Sequence, residues 1–117
     1  MALAYTVTVL ADHKGVTAPK AVGDEYVVDA YIDLGAYASG GIDVTASQFG
    51  LSTMHQLIIT VQDSTVLLIT PEVSATGAYE SSTTITINAI DEQSNQLAEE
   101  NSTQDCGTIR VRVYGLI

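Results

Sequence analysis

The chain has 117 residues, 14 acidic against four basic side chains, and a formal net charge of −10, an excess that argues against direct binding to a nucleic-acid backbone, which needs lysine and arginine in quantity. No apolar run approaches the roughly 20 residues that span a bilayer, and the opening stretch MALAYTVTVL has neither the basic region nor the cleavage site of a secretion signal. The single cysteine, Cys106, excludes an internal disulfide framework, so synthesis in a reducing cytoplasm is expected.

A single β domain is expected over residues 1–117, long enough to bury roughly two-thirds of the surface of its unfolded chain. Tyr5, Val7 and Val9 alternate with Thr6 and Thr8, which predicts a first strand over residues 4–10. Residues 11–23, ADHKGVTAPKAVG, contain Gly15, Pro19 and Gly23, lack periodicity and read as a loop. The loop holds both lysines, Lys14 and Lys20, and loops of such length are usually functional or mobile. With the first strand it makes residues 1–23 a candidate partner-contacting arm.

Residues 25–34 form the clearest strand. Tyr26, Val28, Ala30, Ile32 and Leu34 fall on one face, and Glu25, Asp29, Tyr31 and Asp33 on the other. Gly35, Gly40 and Gly41, with Ser39, supply a reversing loop. Thr45 to Gln48 then fits a capping box, and Gly50 suits the left-handed residue that closes a helix, so a single helical turn is expected there. Phe49 and Leu51 are its apolar plugs.

His55 to Gln62 predicts a strand with Leu57, Ile59 and Val61 on one face. Asp63-Ser64 reads as a tight turn, and Val66 to Thr70 as a returning strand covered on both sides. Residues 71–82 hold turn formers. Residues 83–90 alternate as a half-exposed strand, Ile85, Ile87 and Ala89 opposed by Thr84, Thr86 and Asn88. The acidic segment 91–107 reads as a solvated loop with a short helical turn near 96–100. Thr108 to Tyr114 closes the series with Ile109, Val111 and Val113 inward and Arg110 and Arg112 outward. Six main strands without a long helix predict an all-β fold, an antiparallel β-sandwich or jelly-roll-like barrel with one short helical turn.

Catalytic and cofactor chemistry finds little support. His13 and His55 have no metal-ligand spacing with each other or with Cys106. The pairs Asp24-Glu25, Asp91-Glu92 and Glu99-Glu100 match no calcium loop. Ser39 lacks the glycine-flanked elbow of a nucleophile, and Asp105 beside Cys106 disfavours a thiolate. Glycoside hydrolysis would call for aromatic sugar platforms, yet the chain has no tryptophan and one phenylalanine. No enzyme, metal or cofactor is therefore expected. The Asn101-Ser102-Thr103 glycosylation pattern reads as chance in a chain without a secretion signal.

Arg110 and Arg112, two of the four bases, fall on one face of the last strand. They serve either cross-strand salt bridges to Asp29 and Asp33 or a charged contact with another subunit. Tyr31 and Tyr37 are candidates for the same contact or for packing within the domain, since tyrosine and arginine are enriched at interfaces.

The stretch VVDAYIDLGAYASGG, followed by IDVTASQFGL, resembles small capsid-associated proteins encoded beside the major capsid protein in many tailed bacteriophages. In that family a strand ends in a small-residue loop with a glycine pair, and a Val-Thr or Leu-Thr step leads to a turn ending in Gly-Leu. The closing TIRVRVYGLI is also similar, so the likeness runs from about residue 24 onward; the long acidic 91–107 segment departs from it. The resemblance implies a head decoration or cement protein of the virion, made in the host cytoplasm. It would bind the major capsid protein on the outer capsid surface and oligomerise there, with a trimer among the options. Lys14, Lys20, Tyr31, Tyr37, Arg110 and Arg112 are the candidate contacts. A neck or tail accessory protein is the alternative within virions, and a carbohydrate- or cell-surface-binding module the alternative outside them.

Overall fold

The computed structural model describes residues 5–35, 41–63, 68–72, 81–93, 96–99 and 106–117, with backbone alone at 68, 91–93 and 96–99. Among the described residues the chain forms nine strands. They are β1 (Thr6–Val9), β2 (Lys20–Val22), β3 (Glu25–Asp33), β4 (Ile42–Thr45), β5 (Thr53–Gln62), β6 (Leu68–Glu72), β7 (Thr84–Gln93), β8 (Gln96–Glu99) and β9 (Thr108–Leu116). A 3₁₀ turn, Ala46–Phe49, is the one helical element among them.

Two antiparallel sheets result. The front sheet has five strands in the order β1-β3-β9-β5, with β2 also on β3. Because β9 takes one edge of β3 over Tyr26 to Asp33, β1 and β2 must share the other, opposite Ala30–Asp33 and Glu25–Val27 respectively. The back sheet has four strands and repeats the device: β7 pairs with β6 on one edge, and β4 and β8 share the other. The fold is an all-β sandwich.

The apolar alternation seen in the sequence fills the space between the sheets. Val28, Ala30, Ile32, Leu34, Ile109, Val111 and Val113 from the front meet Ile42, Val44, Ile69, Ile85, Ile87 and Ala89 from the back. Phe49 and Leu51 seal one end, both buried. The turn that holds them is built as expected: Gln48 Oε1 accepts the Thr45 amide at 2.9 Å, and Gly50 closes the turn at φ 78°. The Tyr5 hydroxyl donates to the Asp43 carbonyl oxygen and lies 3.0 Å from Gln48 Oε1, tying the start of β1 to this turn. The sheets are also laced at Met54 and Ser82, whose backbone amides each donate to the other's carbonyl at 2.8 Å.

Several expectations are corrected. The loop expected over residues 11–23 ends early, since Lys20–Val22 pairs with β3 around a turn at Gly23, φ 63°. Residues 42–45 form β4, a strand not expected between the glycine loop and the capped turn. Among the described residues β5 and β6 form no hairpin, because the two strands belong to different sheets; Ser64 of the expected turn lies outside the described residues. Pro71, expected in a turn, sits in β6, and a sheet-edge position without a ladder donor suits proline.

The acidic segment departs from the expected loop and helical turn where it is described, residues 94, 95 and 100–105 lying outside the described residues. Strand β7 runs on to Gln93, and Gln96–Glu99 pairs back on it as β8, ladder hydrogen bonds overriding the helix preference of Leu97-Ala98-Glu99. Cys106 is buried at the end of that segment, its amide donating to the Gly35 carbonyl at 2.8 Å. Thr86, expected on a half-exposed face, is buried and donates to Asp43 Oδ1 at 2.7 Å.

Candidate functional site

The outward residues of β3, β9 and β5 stand in rows fixed by the register. One row runs Asp29, Arg112, Ile58; the next runs Tyr31, Arg110, Val61, with Thr8 of β1 beside Tyr31. Val61 belongs to this face only because the β5–β9 register shifts between Ile59 and Val61. Such an irregularity adds a residue on one strand and so breaks strict alternation. The residue expected beside Leu57 in the core is therefore 60% exposed. Tyr31 and Ile58 are 41% and 43% exposed, so three large apolar side chains surround the two arginines.

Arg112 is committed within the domain. Its Nε and Nη2 donate to the two carboxylate oxygens of Asp29 at 2.8 and 2.9 Å, the bidentate geometry in which guanidinium and carboxylate fit best. Those hydrogen bonds hold the Asp29 carboxyl below its ordinary range against the opposing effect of desolvation, aided by the charges of Arg112 and Arg110. They also raise Arg112, with a further contribution from Tyr114. One of the two expected salt bridges thus forms. The other does not: Arg110 stands opposite Tyr31, while Asp33 stands opposite Thr108 and accepts the Gly35 amide at 3.2 Å.

Residues 11–19 leave the edge of β3 and return to it. Asp12 organises them: its Oδ1 accepts the amides of Lys14 and Val16 at 2.8 and 2.9 Å, and its Oδ2 pairs with Lys20 Nζ. Those contacts, the Lys20 hydrogen bond foremost, lower the Asp12 carboxyl to about 2. Between this loop and the sheet lies a cavity of about 100 Å³. Its lining includes Leu10, Val16, Ala18 and Val27, with Lys20 and Arg110 also at its walls.

The expected contact residues therefore separate. Tyr31, Arg110 and Arg112 share the outer face of the front sheet, Lys20 joins them through the cavity, and Lys14 is exposed on the loop. Tyr37 lies outside the described residues. Asp12, Ile58 and Val61 belong to the site and were not among the expected contacts; Asp12 with Gly15 three residues on was the available signal of a side-chain-nucleated turn.

Elsewhere, His55 Nδ1 lies 2.8 Å from Glu25 Oε2, so strands β5 and β3 are linked across the intervening β9. His13 is exposed. Among the described residues no three His, Cys, Asp or Glu side chains cluster as a metal site would require. Comparisons with protein-family models, curated proteins and solved structures return no match.

Proposed function

We propose that this chain is a virion structural protein, a head decoration protein of the tailed-bacteriophage kind, which acts by binding rather than by catalysis. The family resemblance of the Val27–Leu51 stretch and of the last strand supplies the partner, the major capsid protein. The observation that carries the binding role is the outer face of the front sheet, where Tyr31, Ile58 and Val61 are exposed around Arg110 and Arg112. Aromatic and arginine side chains on a sheet scaffold are what protein interfaces select.

The mechanism is mechanical. The domain lies across the junction of neighbouring capsid subunits, and the area buried on both strengthens the shell against internal pressure. An interface of ordinary size removes about 800 Å² from each partner, a modest share of the 6811 Å² this chain exposes. The negative charge of the chain suits the outside of a shell packed with DNA.

The deciding measurement is the copy number of this chain relative to the major capsid protein, by quantitative mass spectrometry of purified particles. A ratio near one per capsid subunit is expected. A few copies per particle would move the protein to the neck or tail, and its absence from particles would refute the virion role and turn attention to glycan binding by the isolated domain.

A further inference from the structure

Of the four basic side chains, two are neutralised within the domain: Lys20 by Asp12 and Arg112 by Asp29. Lys14 stands out on the loop. The Arg110 side chain makes no hydrogen bond or salt bridge among the described residues, although it lies in the middle of the outer face between Tyr31 and Val61. Of the carboxylates around it, Asp12 is paired with Lys20, Asp29 with Arg112, and Asp33, one row away, accepts the Gly35 amide. Arg110 is therefore a guanidinium without a hydrogen-bonded carboxylate among the described residues, on a chain of net charge −10.

We propose that Arg110 is the docking residue of this face, and that it receives a carboxylate side chain of the capsid protein whose apolar neighbours cover Tyr31, Ile58 and Val61. The inference rests on the shell-binding reading above and names the chemistry of its partner surface. Three features select that chemistry. A guanidinium without an internal partner loses its water on docking at a cost that only an anionic acceptor offsets well. The flanking tyrosine, isoleucine and valine call for apolar contact on either side of that anion, the arrangement in which a charged pair is most effectively shielded from water. The cavity beside Arg110, whose walls carry Leu10, Val16 and Val27 together with Lys20 and the already paired Asp12 and Asp29, gives the apolar neighbours of that carboxylate a recess. A phosphate polymer offers the same charge but would meet the net negative charge of the rest of the chain.

The test uses shells assembled from the purified major capsid protein, cosedimented with the full chain and its variants. Arg110→Gln is expected to weaken binding about 30-fold, the loss typical of an interface hot spot, and Arg110→Glu to weaken it further. Arg110→Lys is expected to retain part of the affinity, and Ile58→Ser to lose several-fold. Glu72→Gln, on the back sheet, should bind as the parent does. Thermal unfolding of each variant separates lost binding from lost structure. Because Arg110 is exposed and its side chain makes no hydrogen bond or salt bridge among the described residues, its variants should melt close to the parent. Parent binding that Arg110→Glu leaves intact overturns this inference alone. Failure of the parent chain to bind overturns both it and the shell reading. Concentration-dependent self-association that Arg110→Glu abolishes would show that a second copy takes the site, and would also overturn it.

Discussion

Gly115 in β9 is the position where one added methyl group should do the most damage. It lies between β3 and β5, opposite Tyr26 and Met54, and a Cβ built there would sit 2.0 Å from the Thr53 carbonyl oxygen and 3.1 Å from Met54 Cα. These are backbone atoms, so no rotamer change relieves the overlap. The strands must part by more than an ångström, which loosens the neighbouring Ser52 to Leu116 hydrogen bond of 2.7 Å and the Met54–Ser82 bridge. Overpacking costs about 1–3 kcal/mol, and one or two weakened hydrogen bonds add about 0.5–1.5 kcal/mol each. Gly115→Ala should therefore cost about 1.5–6 kcal/mol, against a total stability of about 5–15 kcal/mol. Gly23→Ala is the control: φ is 63° there but the space is open, so only the left-handed backbone is penalised, at about 1 kcal/mol. Urea unfolding of the three proteins reads both values. A loss below about 1 kcal/mol in Gly115→Ala would refute the argument from close approach.

Three further outcomes are expected. Phe49→Ala removes the largest buried plug and should cost about 3–5 kcal/mol in urea unfolding; a smaller loss than that of Gly23→Ala would show that the end of the sandwich is not sealed by this ring. In a double-mutant cycle on Asp29 and Arg112, the coupling should be small, sensitive to salt and dependent on pH. Asp29 titrates lower in the folded state, so its contribution is complete above the unfolded value of about 3.9 and disappears as pH falls through the lower folded value. Coupling that persists well below that window would contradict the bidentate pairing. The amides of Lys14 and Val16 should report the Asp12 carboxyl in an NMR titration with a midpoint of about 2; a midpoint near 4 would mean that Asp12 does not hold the loop through Lys20.

The parts legible in the sequence were those fixed by neighbours along the chain. β3 and β9 each carry enough alternating residues to show period two, and the Thr45-to-Gly50 turn is written in adjacent capping residues. β2, β4 and β8 have three or four residues each, too short for alternation to stand out: β2 and β8 fold back on the adjacent ends of β3 and β7, while β4 pairs with a part of β7 distant in sequence. The same distinction divides the site. Alternation alone places Tyr31, Arg110 and Arg112 on one face. Val61 reaches that face through a register shift created by pairing with β9, and the cavity exists because Asp12 folds the 11–19 loop back onto β3.

The position of β9 also sets the order of assembly. It is the last strand described and yet sits between β3 and β5, so the front sheet cannot close until this segment is in place. The pair it makes between Asp29 and Arg112 joins positions 83 residues apart. Sheets built from such distant pairings fold in about milliseconds to seconds rather than microseconds. During that interval the edges of β3 and β5 are open to strands of other molecules, the usual route to aggregation. Mutual repulsion between chains of charge −10 opposes it. Because salt screens that repulsion within about 10 Å at 0.1 M, refolding yield should fall as ionic strength rises even where the native protein remains soluble. The acidity of the chain then protects its slowest folding step.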